Sequence, residues 1–241
     1  MKQTYFVNSK ERNLTMNQYY YEMHCHGKEV SICSRVTTQQ LIEDHIQAGY
    51  TGVTITNHLN RATFSQQYFS SWKQQIEHYL SGYYLAKKLA KDRIDVFLGM
   101  EITFDENLND YLVYGFEPEF LFENGDLMKM GLKAFSKLID HENILIFQAH
   151  PFRDNMTITN PKYLDGIEVY NANPRHISRN EISKLWAEQY HLLTVGGSDY
   201  HKYDDLGHGG ICLNEKAESI HDIVKHLKNQ TAQIITEKLE W

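Results

Sequence analysis

The chain has 241 residues, 41% of them hydrophobic, and a net charge of −7. That is ample for one packed core, and the acidic balance argues against a nucleic-acid-binding surface. Its three cysteines, Cys25, Cys33 and Cys212, form no CxxC pair, which excludes a disulfide framework and a structural zinc knot.

No leader-like segment opens the chain and no apolar run approaches membrane-spanning length, so a cytoplasmic protein with no membrane partner is expected. Residues 1–17 are polar and aperiodic and read as an arm preceding one domain over 18–241. The stretch YYYEMHCH, Tyr19 to His26, reads as a strand ending in two histidines. Residues i and i+2 of a strand share a side, so His24 and His26 can offer two imidazoles to one ion. Thr37 can cap a helix through about Gly49, with Leu41, Ile42, His45 and Ile46 on one face. His45 is expected to be partly buried at the surface.

A short strand over Val53 and Ile55 ends at His58. Helical spacing runs from about Ser65 to Asp92, with breaks expected near Ser81–Gly82. Tyr68, Trp72, Ile76, Tyr79, Tyr83 and Leu89 form its core-facing stripe. Asp95 to Met100 is a strand that stops at Glu101, and Asp110 opens another, DYLVYGF. Asn124 to Asp140 reads as a helix. The apolar run Asn143 to Ala149 suits a doubly covered parallel strand and stops at His150. Asp165 to Tyr170 leads into Asn171, and Ile177 to Tyr190 is an amphipathic helix. His191 to Val195 runs into GGSDYH, which carries Asp199 and His201. A strand over Gly210 to Leu213, a helix over Glu215 to Asn229 and the tail AQIITE complete the chain.

Repeated alternation of strand and helix implies parallel β/α units. The fold expected is α/β, a distorted (β/α)7 barrel of a single domain. In such barrels chemistry sits where strands end. The strand-ending set is His24, His26, His58, Glu101, His150, Asp199 and His201. Each alone has an ordinary alternative: a turn histidine, a core carboxylate, a helix cap. Together, five of the 13 histidines fall at the ends of apolar strands. Nitrogen and oxygen donors without thiolate suit zinc, manganese or iron. The set is too large for one tetrahedral ion and suits two or three divalent ions, with Glu101 bridging. Closely spaced metal pairs are a recurring device for phosphate-ester hydrolysis.

In order, HCH, TNH, the glutamate of GMEIT, AHP and GSDYH resemble the motifs of the PHP superfamily, named for polymerase and histidinol phosphatase. The resemblance spans about Tyr19 to Leu213. It implies a distorted (β/α)7 barrel, two or three metal ions and phosphoesterase activity. It also implies that His24, His26, Glu101 and Asp199 hold a first ion, Glu101 and His150 a second, and His58 and His201 a third. The chain departs from the pattern at three places. Asn57 replaces the usual aspartate before the motif-two histidine, removing a charge that could orient His58. The loop after HCH lacks the usual His or Asp, with Glu29 the nearest substitute and Cys33 a weaker one. Asp110 stands where a histidine after the motif-three glutamate could be replaced.

The chemistry expected is hydrolysis of a phosphomonoester by a metal-activated hydroxide, with Glu101, Asp199 and His201 as catalytic residues. Arg153 and then Arg175 are the candidate phosphate contacts, since a guanidinium suits two phosphate oxygens. Glu168 and Asn171 can support the rim, and His176 and His208 lie in loops that could border it. The partner expected is a small phosphorylated substrate, with no nucleic acid. Alternative readings are a protein-tyrosine phosphatase, a non-catalytic metal-binding regulatory module, and a metal amidohydrolase. The last would need a carbamylated lysine at a strand end, and none stands out.

Overall fold

The computed structural model describes residues 17–65 and 67–239. All but the last residue of the expected arm over 1–17 lies outside the described residues. The strands are β1 (Tyr19–Cys25), β2 (Gly52–Ile55), β3 (His58–Leu59), β4 (Asp95–Thr103) and β5 (Asp110–Tyr114), then β6 (Leu145–Gln148), β7 (Gly166–Asn171), β8 (Leu193–Gly197), β9 (Ile211–Leu213) and β10 (Gln233–Ile234). They form one sheet in the order β10-β9-β1-β2-β4-β5-β6-β7-β8, with β3 pairing β4 beside this path. Beyond β8, Tyr200 bridges Cys25 in parallel. His26 N donates to Tyr200 O at 3.0 Å, and Tyr200 N donates to His24 O at 3.1 Å. This seam makes the sheet a nearly closed barrel, as the sequence led one to expect.

The distortion is a change of strand direction. β4 pairs antiparallel with β5, and β5 antiparallel with β6, where parallel units were expected. The hairpin is set by Asn109, whose backbone N–H donates to the Asn107 side chain at 2.8 Å, a turn-forming bond typical of asparagine. Reversal brings the first residue of β5, Asp110, opposite Thr103 at the end of β4. A residue that opens a strand thus reaches the rim where its neighbours end.

The helices are α1 (Thr38–Gln47), α2 (Trp72–Ala90), α3 (Pro118–Glu123), α4 (Leu132–Leu138), α5 (Asn180–Tyr190) and α6 (Ile220–Lys228). Thr37 caps α1 through the Gln40 amide, as its sequence implies. Helix α2 starts later than expected, because Ser71 caps it through Gln74 N, and it runs unbroken through Ser81–Gly82. Tyr68 therefore falls before the helix and is 90% exposed, outside the core. The expected helix over 124–140 is interrupted: Gly131 has φ +76°, a left-handed conformation that ends regular helix and that glycine tolerates. His45 is fully buried, not at the surface, with its Nδ1 2.8 Å from Leu41 O. No helix among the described residues is long and apolar enough to cross a membrane.

Apolar side chains pack in three clusters. One lies between the sheet and α2, α3, α4 and α5, including Met100, Tyr111, Ile146 and Phe135. A second joins Met23, Phe97, Tyr114 and Phe147 to α6. A third joins Cys25, Val53 and Tyr200 to α1 and α2. Gly197 is required where β8 passes β1, because a Cβ there would fall 2.3 Å from His24 Cβ. Gly197→Ala is expected to destabilise the protein by about 1–3 kcal/mol through overpacking, read from chemical denaturation. Unchanged stability would contradict the closeness of this seam.

Candidate metal centre

A β-bulge re-aims the first ligand strand. The register of β1 against β2 shifts between Glu22 and Cys25. Tyr21 and Met23 pack in one cluster and Cys25 in another, so the strand exchanges faces across the bulge, a common device beside functional sites. The bulge is held by the buried Glu22 carboxylate. Its Oε1 accepts from Met23 N at 3.0 Å, His24 N at 2.9 Å and Ser198 N at 2.9 Å. Sequence reasoning missed Glu22; its only signal was a carboxylate inside an aromatic strand.

At the rim, the Glu101 carboxylate has no solvent exposure and is faced by imidazoles. His58 Nδ1 lies 2.8 Å from its Oε2, and His26 Nε2 3.4 Å. His150 Nε2 lies 3.1 Å from Oε1, and His24 Nε2 3.2 Å. Asp199 Oδ1 is 3.5 Å from His24 Nε2, 3.6 Å from His26 Nε2 and 3.1 Å from His201 Nδ1. Glu101 lies inside β4, not after its end, and His58 opens the short β3 instead of closing β2. The β3–β4 pairing sets His58 directly opposite Glu101. His150 and Asp199 hold φ of +30° and +53°, left-handed conformations that cost non-glycine residues about 1–3 kcal/mol each and cluster at functional sites.

The supporting bonds fix which nitrogen of each ring faces the cluster. His24 Nδ1 donates to Glu168 Oε1 at 2.9 Å, leaving Nε2 free. Glu168 Oε2 also accepts from His150 N at 2.8 Å and Asn171 Nδ2 at 3.0 Å, so one carboxylate positions two ligand-type histidines. His26 Nδ1 lies 3.3 Å from Ser31 Oγ. Ser31 in turn donates to Asn57 Oδ1 at 3.1 Å, and that oxygen also accepts from Gly27 N at 2.9 Å. Ser31 Oγ also accepts from His58 N at 2.9 Å, so Asn57 acts through Ser31 on both His26 and the His58 backbone. His201 Nδ1 donates to Asp199 O at 2.8 Å.

Burial works against charge at His24, but Glu101, Glu168 and Asp199 outweigh it and hold its pKa well above the usual value. His58 is likewise held well above by Glu101 against burial, and His201 is pushed up to about 9 by Asp199 against burial. His26 is held well below the ordinary value by burial and by the neighbouring His201 and His58. Burial opposes ionisation of Glu101 and Asp199, yet the surrounding histidines keep both well below the usual carboxylate range. Asp110 is raised by burial and by repulsion from Glu101.

These residues fit divalent cations. His24 Nε2, His26 Nε2, His58 Nδ1 and Glu101 Oε2 are shielded from solvent and meet only as close nitrogen–oxygen pairs without well-formed hydrogen bonds, an arrangement that buried polar groups rarely keep without a ligand. Three groups bring their donor atoms within 4.8 Å of one another: His26, His58 and His201; His24, His26 and Asp199; His24, Glu101 and His150. Their imidazole and carboxylate donors suit zinc, manganese or iron.

A cavity of about 310 Å³ opens over the cluster, lined among others by Arg35, Asp110, Arg153, Arg175, His176 and Lys202. Asp110 sits at its edge, its Oδ2 3.9 Å from His150 Nε2 and its Oδ1 bonded to Thr103 Oγ1 at 2.5 Å; it belongs to none of the three donor groups. Arg153 Nη2 donates to Asp199 Oδ2 at 2.7 Å and Asn171 Oδ1 at 2.9 Å. Arg175 pairs with the buried Asp205. His208 is not among the lining residues. Glu29 is turned away: its Oε2 accepts from Thr38 N at 2.8 Å and Thr38 Oγ1 at 2.7 Å. Cys33 does line the cavity, with Sγ 3.2 Å from His201 Nε2. Burial pushes the Cys33 thiol up, but hydrogen bonds from His201 and His58 outweigh it and bring the pKa to about 6.

A nearly closed α/β barrel with a buried histidine–carboxylate cluster at its strand-end rim defines a metal-binding barrel protein. The chain belongs to the PHP domain family, whose model matches residues 22–237. No curated protein sequence matches the chain. Among solved structures it is similar to a two-domain protein from Bacteroides vulgatus described as containing a predicted PHP-like metal-dependent phosphoesterase. The identity is 17% and the TM-score 0.68, over 92% of this chain and 65% of that one. It is also similar to PsfC from Pseudomonas syringae, at 16% identity and TM-score 0.61, over 84% of each chain. A third is the lesion-specific endonuclease PfuEndoQ from Pyrococcus furiosus, at 14% identity and TM-score 0.60, over 90% of this chain and 58% of that one. The chain thus spans less than two thirds of the first and third of these, and the likenesses establish the fold.

Glu168→Gln keeps the shape of the side chain but removes the charge that orients His24. It is expected to weaken zinc binding about 10–100-fold in a chelator competition assay, with an unchanged circular dichroism spectrum. Wild-type affinity would contradict the positioning role.

Proposed function

We propose that this protein is a metal-dependent phosphomonoesterase that acts on a small phosphorylated substrate. The observation that carries this reading is the solvent-shielded Glu101 carboxylate, faced by imidazole nitrogens that make no well-formed hydrogen bond, beneath an arginine-lined cavity. His24, His26, Glu101 and Asp199 would hold one ion, Glu101 and His150 a second with Asp110 at its edge, and His58 and His201 a third. Divalent ions bound there supply Lewis acidity, which acidifies water and offsets phosphoryl charge.

The chain's own residues do the rest. Glu168 and Ser31 hold the protons of His24 and His26 on the nitrogens that face away from the cluster. Arg153, on the cavity wall, is placed to take phosphoryl oxygens once its bond to Asp199 loosens. Arg175 is the second phosphate contact, with its guanidinium braced by Asp205. Glu101, Asp199 and His201 are assigned as the catalytic set. Asp199 and His201 line the cavity that receives the ester, and Glu101 joins the ligand groups beneath it. The free state of Cys25, Cys33 and Cys212 accords with a reducing, cytoplasmic setting.

Restoring zinc, manganese, iron or magnesium separately to chelated protein, against phosphomonoesters, phosphodiesters, phosphotyrosine peptides and oligonucleotides, tests the assignment. Phosphate release from a small monoester is expected with at least one ion and none after chelation. Full metal binding without ester cleavage would favour the non-catalytic regulatory reading. Cleavage confined to phosphotyrosine peptides would favour a protein-tyrosine phosphatase. Cleavage confined to oligonucleotides would move the substrate class to nucleic acid. His150→Ala is expected to abolish turnover with the fold intact by circular dichroism. Arg153→Ala is expected to lower turnover about 10²–10³-fold, the usual loss when one preorganised electrostatic partner of the transition state goes. Wild-type rates in either variant would remove the role assigned.

A further inference from the structure

We infer that Cys33 supplies a thiolate ligand to the ion held by His58 and His201, so that this position selects a thiophilic divalent ion over magnesium or manganese. The inference rests on the metal reading above and adds a donor that the nitrogen and oxygen set lacks. Its basis is the way the loop after His26 is pinned. Lys28 N donates to Val36 O at 2.9 Å, Arg35 N to His201 O at 3.0 Å, and Ser34 Oγ to His26 O at 2.8 Å. These bonds fold the loop back over the cluster and set Cys33 Sγ 3.2 Å from His201 Nε2.

His201 Nδ1 is committed to Asp199 O, so Nε2 is the nitrogen left to accept an S–H or to share an ion with the sulfur. Sulfur and nitrogen ligands on one tetrahedral zinc, at about 2.3 and 2.0–2.1 Å, lie about 3.5 Å apart, close to the separation found. A second observation points to an ion here: His26 is fully buried, its Nε2 makes no hydrogen bond, and, besides its place with His24 and Asp199, it also groups with His58 and His201. Glu29, the other candidate in this loop, is spent on the start of α1. Thiolate ligands favour zinc and iron, whereas magnesium and manganese prefer oxygen.

Cobalt(II) loading of the chelated full chain tests this directly. Cys25 and Cys212 lie buried in the apolar cluster beside α1 and α2, so a sulfur signal is assignable. A near-ultraviolet sulfur-to-cobalt charge-transfer absorption is expected, absent in Cys33→Ser, together with a loss of zinc affinity in that variant of at least about tenfold. In the wild type, zinc is expected to protect Cys33 from iodoacetamide and chelation to expose it, a measurement that needs no variant to fold. Cobalt bound at full stoichiometry without the absorption, its persistence in Cys33→Ser, or equal alkylation with and without zinc would each overturn the assignment while leaving the metal centre standing. Failure to bind any ion would instead remove the metal reading itself.

Discussion

The structure turns on one carboxylate. Glu101 is buried without exposure, and a buried charge is tolerated only when it is paired. Its partners are imidazoles from β1, β3 and the end of β6. Glu168 and Asp199 add further negative charge within reach of the same rings. The rings are not all protonated together, because burial, and then the charge on His201 and His58, hold His26 well below its ordinary value. The His26 nitrogen that makes no hydrogen bond lies among the carboxylates of the rim, an arrangement that suits a divalent cation.

Much of the surrounding architecture serves to aim those rings. The bulge in β1 turns His24 toward Glu101, and Glu22 satisfies the backbone amides that the bulge leaves over. The same carboxylate binds Ser198 N, which ties the β1 ligands to the Asp199 turn across the seam of the barrel. Glu168 couples His24 to His150. The left-handed backbone at His150 and Asp199 is strain that the closed sheet holds in place. Precision at the rim thus depends on groups that never face the cavity.

The barrel and the ligand set were legible because both leave a strong local mark: an apolar strand, then an abrupt His, Glu or Asp. What resisted reading was nonlocal. The direction of β5 depends on the Asn107–Asn109 turn, which alternation of strand and helix does not report. The start of α2 depends on Ser71, hidden within a run of aromatic residues whose spacing continued the helical pattern. His45 looked amphipathic in its helix, yet it packs on Tyr50 and Tyr200. Between Glu29 and Cys33, residue type favoured the carboxylate, but the glutamate's nearest backbone partner is a helix start. Only the folded loop shows which side chain meets His201. The route by which Asn57 acts was hidden for a like reason: its oxygen reaches Ser31 and Gly27, 26 and 30 residues earlier in the chain.

The most direct measurement is X-ray diffraction from crystals of the metal-loaded protein, with anomalous maps recorded at the zinc, iron and manganese edges. Two or three peaks are expected among His24, His26, His58, Glu101, His150, Asp199 and His201. Maps without a peak in that cluster, with its imidazoles hydrogen-bonded straight to the carboxylates, would contradict the assignment of these side chains as a metal centre.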